Sequence, residues 1–371
     1  MNNVEPPRSP IKGSFEISGE SVAVDVAPGR HAEIPVTLPD QGTMGMRRLV
    51  GQLHVGGRPV ARLSTEVEVV HPISVTARHV FRDDADVLQA TVTNVSSKDV
   101  AADRVEWTLG EQTGSIELPG SLPAGSSRTV DVPLSGLAEP GSYPYELRVP
   151  TPTFPDVRYS GTVVVVEPGA VHSVAELPVT VDGKLDDLQA VPGIDLVEDG
   201  EVQMPEYGGA DDLSGNLWFT WDADHLYLSA SIRDDTHAQP ASGDAIWQGD
   251  SIQFAVGQGM PGETDRWYEY GVALTSSGPQ VHRWIAASGS TGPVTDATVA
   301  VNRDDTTNTT VYELAIPWDQ LEPVEPDDRL LSLSLLVNDN DGSGRKGWIE
   351  WGSGIGGSKD AKLFRPARVD P

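Results

Sequence analysis

Tryptophan is concentrated in the C-terminal part of this 371-residue chain, where eight of the nine follow residue 167. Trp247 belongs to the loop sequence AIWQGD, directly before a predicted strand. A pyranose packs its face of axial C–H bonds on an indole, so exposed tryptophans beside polar side chains suit sugar binding. We therefore expect Trp247 to contact a ligand, with capping of a sandwich edge as the alternative. Of the strand residues Trp218, Phe219 and Trp221, those on the inward face are expected in the core, and so are Trp318 and Trp351.

Aspartates in predicted turns form a second group with chemical potential. Ca²⁺ takes about six to eight oxygen ligands, often from such turns. The sequence NDNDG at 338–342 resembles the first half of a calcium loop, but the glutamate that should follow is missing, which excludes an EF-hand. Aspartates also favour turns without any ion, and this alternative stays open. The candidate metal ligands are Asp182, Asp234, Asp250, Asp339 and Asp341.

Signatures of catalysis are missing from the sequence. The chain has no cysteine, which excludes disulfides, thiolate metal sites and cysteine nucleophiles. We find no Ser/His/Asp pattern, Gly-rich phosphate loop or HExxH motif. Glycoside hydrolysis needs two carboxylates about 5–9.5 Å apart. Among 55 acidic residues some pairs will meet this by chance, so a hydrolase stays as an alternative to the non-catalytic reading.

The charge of the chain argues against two classes of partner. The formal net charge is −29, which disfavours nucleic acid and anionic membrane surfaces. Residues 171–371 carry 34 acidic and 12 basic side chains, a net −22. This charge predicts that anionic glycans bind less well than neutral ones. No apolar run of about 20 residues is present, so we expect no membrane span.

A β-hairpin is predicted for residues 217–232. Apolar residues alternate before and after the turn sequence Asp222–Asp224, with period two. The pleat of a strand sends alternate side chains to opposite faces, so both arms can contribute to one core. The predicted core residues are Leu217, Phe219, Trp221, Leu226, Leu228, Ala230 and Ile232.

Several motifs around this hairpin carry a family resemblance. They are NLWFTWDADHLYLSASIRDD, WQGDSIQFAV, the upstream VDGKLD, and the downstream YELAIPW, NDNDG and the segment 345–351. In this order they resemble the family 9 carbohydrate-binding modules and their wider DOMON-like β-sandwich superfamily, over roughly residues 171–371. The resemblance implies a β-sandwich, a structural calcium ion and an aromatic clamp for sugar, with Trp247 as one wall.

The chain departs from that family's sugar-binding pattern. Gln253 stands where the family has Glu, and Glu269 and Gly271 stand where it has Arg and Asn. No aromatic residue matches the second wall of the clamp in segment 356–364, so Trp267, Trp284 or Trp348 would have to supply a replacement face. The candidate ligand-binding residues are Trp247, Gln253, Trp267, Glu269 and Trp284.

Short strands between Gly/Pro turns predict an all-β chain: two immunoglobulin-like sandwiches, the first short or truncated, followed by a larger antiparallel β-sandwich. An internal repeat relates the first two units: VAPGRHAEIPVTLP corresponds to LPAGSSRTVDVPLS. The predicted boundaries are a tail or linker at 1–13, a partial immunoglobulin-like unit at 14–71, an immunoglobulin-like sandwich at 72–168, and the module resembling family 9 at 172–371.

The favoured hypothesis is a non-catalytic carbohydrate-binding region of a secreted polysaccharide-active protein. Its partners would be a polysaccharide or oligosaccharide and an upstream catalytic domain, with the first two units as spacers and Ca²⁺ as a structural ion. The first residues lack the apolar core of a signal peptide, so we expect Met1 to begin a piece of a longer secreted chain. One alternative is a set of accessory domains that brace a catalytic domain without binding ligand. Another is a DOMON-type haem or redox module, for which Met204 and Met260 show no clear ligand pattern.

Overall fold

A computed structural model describes residues 9–36, 44–137 and 139–370. Their secondary structure consists of β-strands and 3₁₀ turns of three to six residues, which confirms the all-β prediction. No helix in these residues is long and apolar enough to cross a membrane. The chain divides into two compact units. One comprises the residues up to Ser74 with Asn94–Val100 and Pro123–Gly125, and the other comprises the remainder.

The first unit contains one antiparallel sheet. Its strands are β1 (Ile11–Ile17), β2 (Glu20–Val26), β3 (Gly45–Val55) and β4 (Arg58–Val69), in the order β2-β1-β3-β4. Strand β1 begins inside the predicted tail at 1–13, of which residues 1–8 lie outside the described residues. The repeat also predicts a strand in HAEIPVTL, but residues 31–36 are irregular and the rest of that segment lies outside the described residues.

A two-sheet sandwich follows. Its strands are β5 (Ile73–Arg82), β6 (Ala85–Asn94), β7 (Val100–Ala101), β8 (Arg104–Leu109), β9 (Gln112–Glu117), β10 (Ser121–Leu122), β11 (Ser127–Pro133), β12 (Gly141–Val149) and β13 (Val157–Val165). One sheet has the order β11-β6-β5 and the other β13-β12-β8-β9. Buried apolar residues between them include Leu88, Val105 and Leu147. The boundaries of this sandwich as a separate domain stay a prediction.

The C-terminal module is built from fourteen strands of the described chain. They are β14 (His172–Glu176), β15 (Ile194–Asp195), β16 (Glu201–Val202), β17 (Leu213–Trp221), β18 (His225–Asp234), β19 (Ser251–Gln258), β20 (Trp267–Thr275), β21 (Gly278–Ile285), β22 (Gly292–Pro293), β23 (Thr298–Asp304), β24 (Thr309–Pro317), β25 (Leu330–Asn340), β26 (Arg345–Trp351) and β27 (Arg365–Asp370). Short 3₁₀ turns lie at Pro168–Ala170, Asp186–Leu188, Gly243–Gln248, Trp318–Gln320, Pro326–Asp328 and Ala361–Leu363.

These strands form one hydrogen-bonded sheet that folds into two layers. Its order is β22-β21-β20-β19-β25-β27-β14-β17-β18-β24-β23, with β26 on β25 and β15 on β17. Strands β27, β14 and β17 run parallel, and the other pairs of this order are antiparallel. The predicted hairpin is present as β17 and β18, with Trp221 opposite Leu226.

The core of the module lies between the inner faces of the two layers. Phe219 of β17 meets Phe254 of β19 with ring centroids 6.3 Å apart, and Trp351 of β26 at 6.4 Å. The predicted hairpin core residues are buried except Trp221, which is partly buried against the same cluster. Trp318 and Trp351 are buried too, as expected. Strands β19, β20 and β25 are buried on both faces, so their outer face is also covered.

Charged residues of β5 contact the C-terminal module within the second unit. His79 Nδ1 lies 2.8 Å from Glu263 Oε1, and its Nε2 lies 3.3 Å from Asp86 Oδ1. Glu263 also accepts a hydrogen bond from the backbone N–H of Val164 at 2.6 Å. Arg78 pairs with Asp328 at 3.0 Å. The sandwich and the module thus share a buried ionic contact.

Candidate functional site

The candidate ligand-binding residues lie on the outer face of one layer. Strand alternation places Ile252, Phe254 and Val256 of β19 in the core, so Gln253 points to the opposite face. On β20 the same alternation turns Tyr268 and Tyr270 inward and Glu269 outward. The antiparallel ladder from β20 through β19 to β25 then makes these outward residues neighbours.

A buried hydrogen-bond network joins these outward polar residues. Gln253 donates through Nε2 to Glu269 Oε1 at 3.0 Å. Asn338 of β25 donates through Nδ2 to Gln253 Oε1 at 3.1 Å and to Ser251 Oγ at 2.9 Å. Lys359 Nζ donates to Glu269 Oε1 at 2.6 Å. Glu269 Oε2 and Asn338 Oδ1 are buried and have no hydrogen-bond partner among the described residues.

Lys359 supplies a positive charge beside Glu269, and the sequence motifs did not predict this residue. Glu269 occupies the position where an arginine was expected, and the ammonium of Lys359 pairs with it from the segment after β26. Burial raises the pKa of Glu269, and the hydrogen bond and charge of Lys359 act in the opposite direction. Only 1% of the Glu269 side chain is exposed, so this carboxylate needs its cationic partner.

Three tryptophans border the network. Trp247, in the turn Gly243–Gln248, is 38% exposed, as expected for a ligand contact. Trp284 of β21 donates through Nε1 to the carbonyl of Asp244 in the same turn, at 2.9 Å. Its ring contacts Gly271, where an added Cβ would meet Trp284 Cη2 at 2.3 Å. Glycine at this position therefore creates the space that the ring occupies.

Trp348 is the third tryptophan, and it lies on β26. Its Nε1 donates to Glu350 Oε2 at 2.8 Å, and its ring contacts Gly356. The guanidinium carbon of Arg345 lies 4.3 Å from the centroid of a Trp348 ring and 5.5 Å from that of Trp247. The family resemblance predicts an aromatic residue in the segment after β26. This segment instead has Gly356, which contacts the Trp348 ring of β26.

Trp267 is buried, and its role as a ligand face stays a prediction. The side chain is buried in a small cluster with Ala255, Leu336, Ile355 and Phe364. Its ring meets Phe364 edge-on with centroids 5.2 Å apart. The segment between β26 and β27 folds over this part of the outer face, which sequence alternation alone does not indicate.

Four of the five candidate metal ligands come together at one edge of the module. Asp234 ends β18, Asp250 directly precedes β19, and Asp339 lies near the end of β25. Asp234, His237 and Asp250 have ligand atoms within 4.8 Å of one another, as do Asp212, Asp339 and Asp341. Asp234 and Asp341 belong to a third such group with Asp235, which links the first two.

Asp182 is the exception: it lies outside these three groups, and its role as a metal ligand stays a prediction. Its side chain is 44% exposed and pairs with Lys184 Nζ at 2.8 Å. It lies in a turn whose backbone N–H groups, those of Asp182 and Gly183, donate to the buried Glu313 Oε2. The VDGKLD motif therefore shapes a turn against β24 and does not contribute to the acidic cluster.

Burial raises the pKa of two carboxyl groups in the acidic cluster. Burial, followed by the charge of Asp234, raises the pKa of Asp250 well above its usual range. Burial raises the pKa of Asp339 to about 6. Lys346 Nζ lies 3.0 Å from Asp339 Oδ2, but neither oxygen of Asp339 accepts a well-aligned hydrogen bond from the described residues. Lys346 Nζ also lies 2.8 Å from Asp212 Oδ1 and 2.8 Å from Asp341 Oδ2, so one ammonium pairs with all three carboxylates of that group. Carboxylate oxygens are also the hard ligands that Ca²⁺ prefers.

The comparison with protein families identifies the module. Residues 181–365 match the carbohydrate family 9 binding domain-like family. The C-terminal module is a family 9 carbohydrate-binding domain. The expected resemblance is thus confirmed for the family, and the role of this domain is non-catalytic carbohydrate binding. No curated protein sequence matches the chain significantly.

Solved structures are similar to about half of this chain. A family 9 module from Caldicellulosiruptor kristjanssonii, in complex with cellotriose, is 15% identical with a TM-score of 0.41, covering 54% of this chain and 93% of that one. The same module with glucose is 16% identical with a TM-score of 0.38, covering 53% and 94%. A protein of Bacteroides uniformis, proposed to bind carbohydrate, is 12% identical with a TM-score of 0.38, covering 53% and 98%.

Proposed function

We propose that the family 9 domain binds glycan on the outer face defined by Trp247, Trp284 and Trp348. One observation carries this proposal: three tryptophans border a buried polar network in which an acceptor of Glu269 and an acceptor of Asn338 lack donors. Buried polar atoms are normally hydrogen-bonded, so unpaired acceptors beside aromatic rings fit a ligand that supplies hydroxyl donors.

Sugar recognition on this face would use two interactions. The exposed ring of Trp247 offers a flat apolar surface for the C–H face of a pyranose. The free acceptors of Glu269 and Asn338 would take hydrogen bonds from equatorial hydroxyl groups. Gln253 and Lys359 hold the Glu269 carboxylate in place, which reduces the side-chain entropy lost on binding.

The acidic cluster suits a structural calcium ion, which we propose as part of the same function. Asp234, Asp250, Asp339 and Asp341 would supply carboxylate oxygens. The ion would neutralise carboxylates that burial makes hard to ionise, and it would link the end of β18 to β19 and β25. Its role would be to stabilise the domain and the nearby turn that carries Trp247.

We also propose that the chain acts outside the cell as part of a polysaccharide-active protein. A binding module linked to a catalytic domain raises the effective concentration of that domain near an insoluble polymer. This accessory role needs only a module that binds glycan and a partner in the same protein. Fusion of residues 172–371 to a cellulase catalytic domain should raise hydrolysis of insoluble cellulose and leave hydrolysis of soluble substrate unchanged.

Titration of the full chain with cellotriose, followed by calorimetry, tests the binding proposal. Trp247→Ala should weaken binding by on the order of 2 kcal/mol, roughly thirtyfold, because aromatic anchors dominate small interfaces. Val197→Ala is the matched control, since this exposed apolar side chain lies outside the proposed face. Unchanged affinity of Trp247→Ala would place the site elsewhere, and a wild-type chain that binds no glycan would favour a structural accessory domain.

A further inference from the structure

Arg345 is a partly buried cation on the proposed glycan-binding face, and it has no ionic partner among the described residues. It begins β26 and pairs across the ladder with Asn340, and its guanidinium packs against the rings of Trp247 and Trp348. The Nε and Nη2 atoms are buried and have no hydrogen-bond partner among the described residues. Two donor nitrogens are therefore held on this face without an acceptor among the described residues.

Some arginines of the same domain pair with carboxylates: Arg233 with Asp211 at 2.9 Å, and Arg329 with Asp370 at 2.8 Å. Arg283 and Arg365 instead donate to backbone carbonyls. Among the described residues Arg345 has neither a carboxylate nor a carbonyl for its Nε and Nη2 atoms. Burial alone lowers the pKa of the Arg345 guanidinium to about 10, and no carboxylate acts to raise it. A buried charge without a partner is costly, and such groups are usually paired with an ion or a ligand.

We propose that Arg345 makes this face selective for glycans that carry a carboxylate, the uronate class. A guanidinium presents N–H donors in a rigid fork that matches the two oxygens of a carboxylate. The two tryptophan rings keep the guanidinium plane in position, so little entropy is lost when the pair forms. This inference rests on the proposed glycan-binding function of the same face and assigns its substrate class.

The net charge of −22 for residues 171–371 predicts a preference for neutral over anionic glycans. This repulsion must be compared with the local attraction of Arg345 for a carboxylate. Repulsion from distant surface carboxylates is screened beyond about 8–10 Å at physiological salt. On the face itself Lys359 pairs with Glu269, while Glu350 accepts hydrogen bonds from Trp348 and Ser353. The Arg345 guanidinium packs against Trp247 and has no carboxylate partner among the described residues, so a short-range pair with a ligand carboxylate outweighs the screened field.

Calorimetry of the full chain with cellotriose and with its C6-oxidised counterpart, cellotriuronate, tests this inference. The wild type should bind cellotriuronate about tenfold more tightly than cellotriose, because charge-assisted bidentate pairs are roughly twice as strong as neutral ones. Arg345→Gln should reduce this ratio to near one and leave cellotriose affinity within about threefold, since only the charge-dependent part of the contact is removed. Arg345→Lys should keep only part of the preference, because a lysine lacks the planar fork.

Arg233→Gln is the matched control and should keep the wild-type ratio, since Arg233 lies outside the face and already pairs with Asp211. Thermal melting of Arg345→Gln should equal or exceed that of the wild type, because the lost donors have no partner. A wild type that binds cellotriose but prefers it to cellotriuronate would overturn the uronate assignment and leave the proposed function standing. A wild type that binds neither would overturn both, and a large loss of melting temperature in Arg345→Gln would show a structural arginine.

Discussion

Glycine at position 271 sets where the Trp284 ring can lie. The resemblance predicted an asparagine here, and the chain instead has the one residue type whose missing Cβ admits an indole against the strand. The ring is then fixed by its hydrogen bond to the carbonyl of Asp244. Gly271 replaces the asparagine of the family pattern, and the Trp284 ring fills the space that the missing side chain leaves.

Alanine at this position should displace the ring. Gly271→Ala would place a Cβ 2.3 Å from Trp284 Cη2 and 3.3 Å from Ile246 Cδ1, so the indole must move. We expect the affinity for cellotriose to fall by about tenfold, or 1.4 kcal/mol, measured by calorimetry. Gly357→Ala is the control, because a Cβ there meets no atom within 4 Å. Wild-type affinity in Gly271→Ala would show that Trp284 takes no part in binding.

At the scale of elements, the ends of three strands determine the acidic cluster. Asp234, Asp250 and Asp339 come from β18, from the residue before β19 and from β25, and they meet because these strands end at the same edge. The backbone N–H of Asn340 donates to Asp250 Oδ1 at 2.7 Å, which ties the last residue of β25 to the turn carrying Trp247. A cation here would therefore stabilise the glycan-binding turn as well as the strands.

Calcium should raise the melting temperature of the chain. An ion that binds only the folded state stabilises it by mass action, so melting in EDTA should occur several degrees lower than in millimolar Ca²⁺. Asp250→Asn should abolish the difference because it removes a buried ligand from the cluster. Asp182→Asn should retain the difference, since Asp182 lies apart and pairs with Lys184. Identical melting curves of the metal-free chain with and without Ca²⁺ would contradict the calcium proposal.

At the scale of the whole molecule, a buried histidine links the second sandwich to the family 9 domain. His79 is 2% exposed at its side chain and lies between Glu263 and Asp86. Burial lowers the pKa of His79, but the charges and hydrogen bonds of Glu263 and Asp86 outweigh it and raise the pKa to about 9. The sandwich therefore shares a charged, buried contact with the glycan-binding domain, beyond the spacer role that the sequence predicted.

Stability of this contact should depend on pH in the alkaline range. Because the folded pKa of His79 exceeds its usual 6.5, its contribution is complete below pH 6.5 and is lost as pH rises through about 9. The free energy of unfolding in urea should fall by up to about 3 kcal/mol more in the wild type than in His79→Gln between pH 6.5 and 10. His31→Gln, an exposed position in the other unit, should behave as the wild type does. Parallel pH profiles of wild type and His79→Gln would refute this role of His79.

The sequence by itself determined the β-class, the β17–β18 hairpin and the family of the C-terminal domain. These follow from alternation with period two and from short motifs, which are local properties of the chain. Trp247 could also be recognised locally, because a tryptophan in a polar turn before a strand has little to bury it. The sequence also named Asp234, Asp250, Asp339 and Asp341 as acidic candidates, although it did not show that they meet at one edge.

Tertiary structure decided which of these candidates share a site. Trp267 and Trp284 both lie on strands, yet the segment between β26 and β27 buries the first and leaves the second beside Trp247. Lys359 and Arg345 are not among the candidate residues that the sequence indicates. The fold places Lys359 against the Glu269 carboxylate. It places Arg345 against two indole rings, without an acceptor for its Nε and Nη2 atoms among the described residues. Contacts between residues far apart in the chain depend on strand order and on the path of a covering loop, and neither leaves a periodic signal in the sequence.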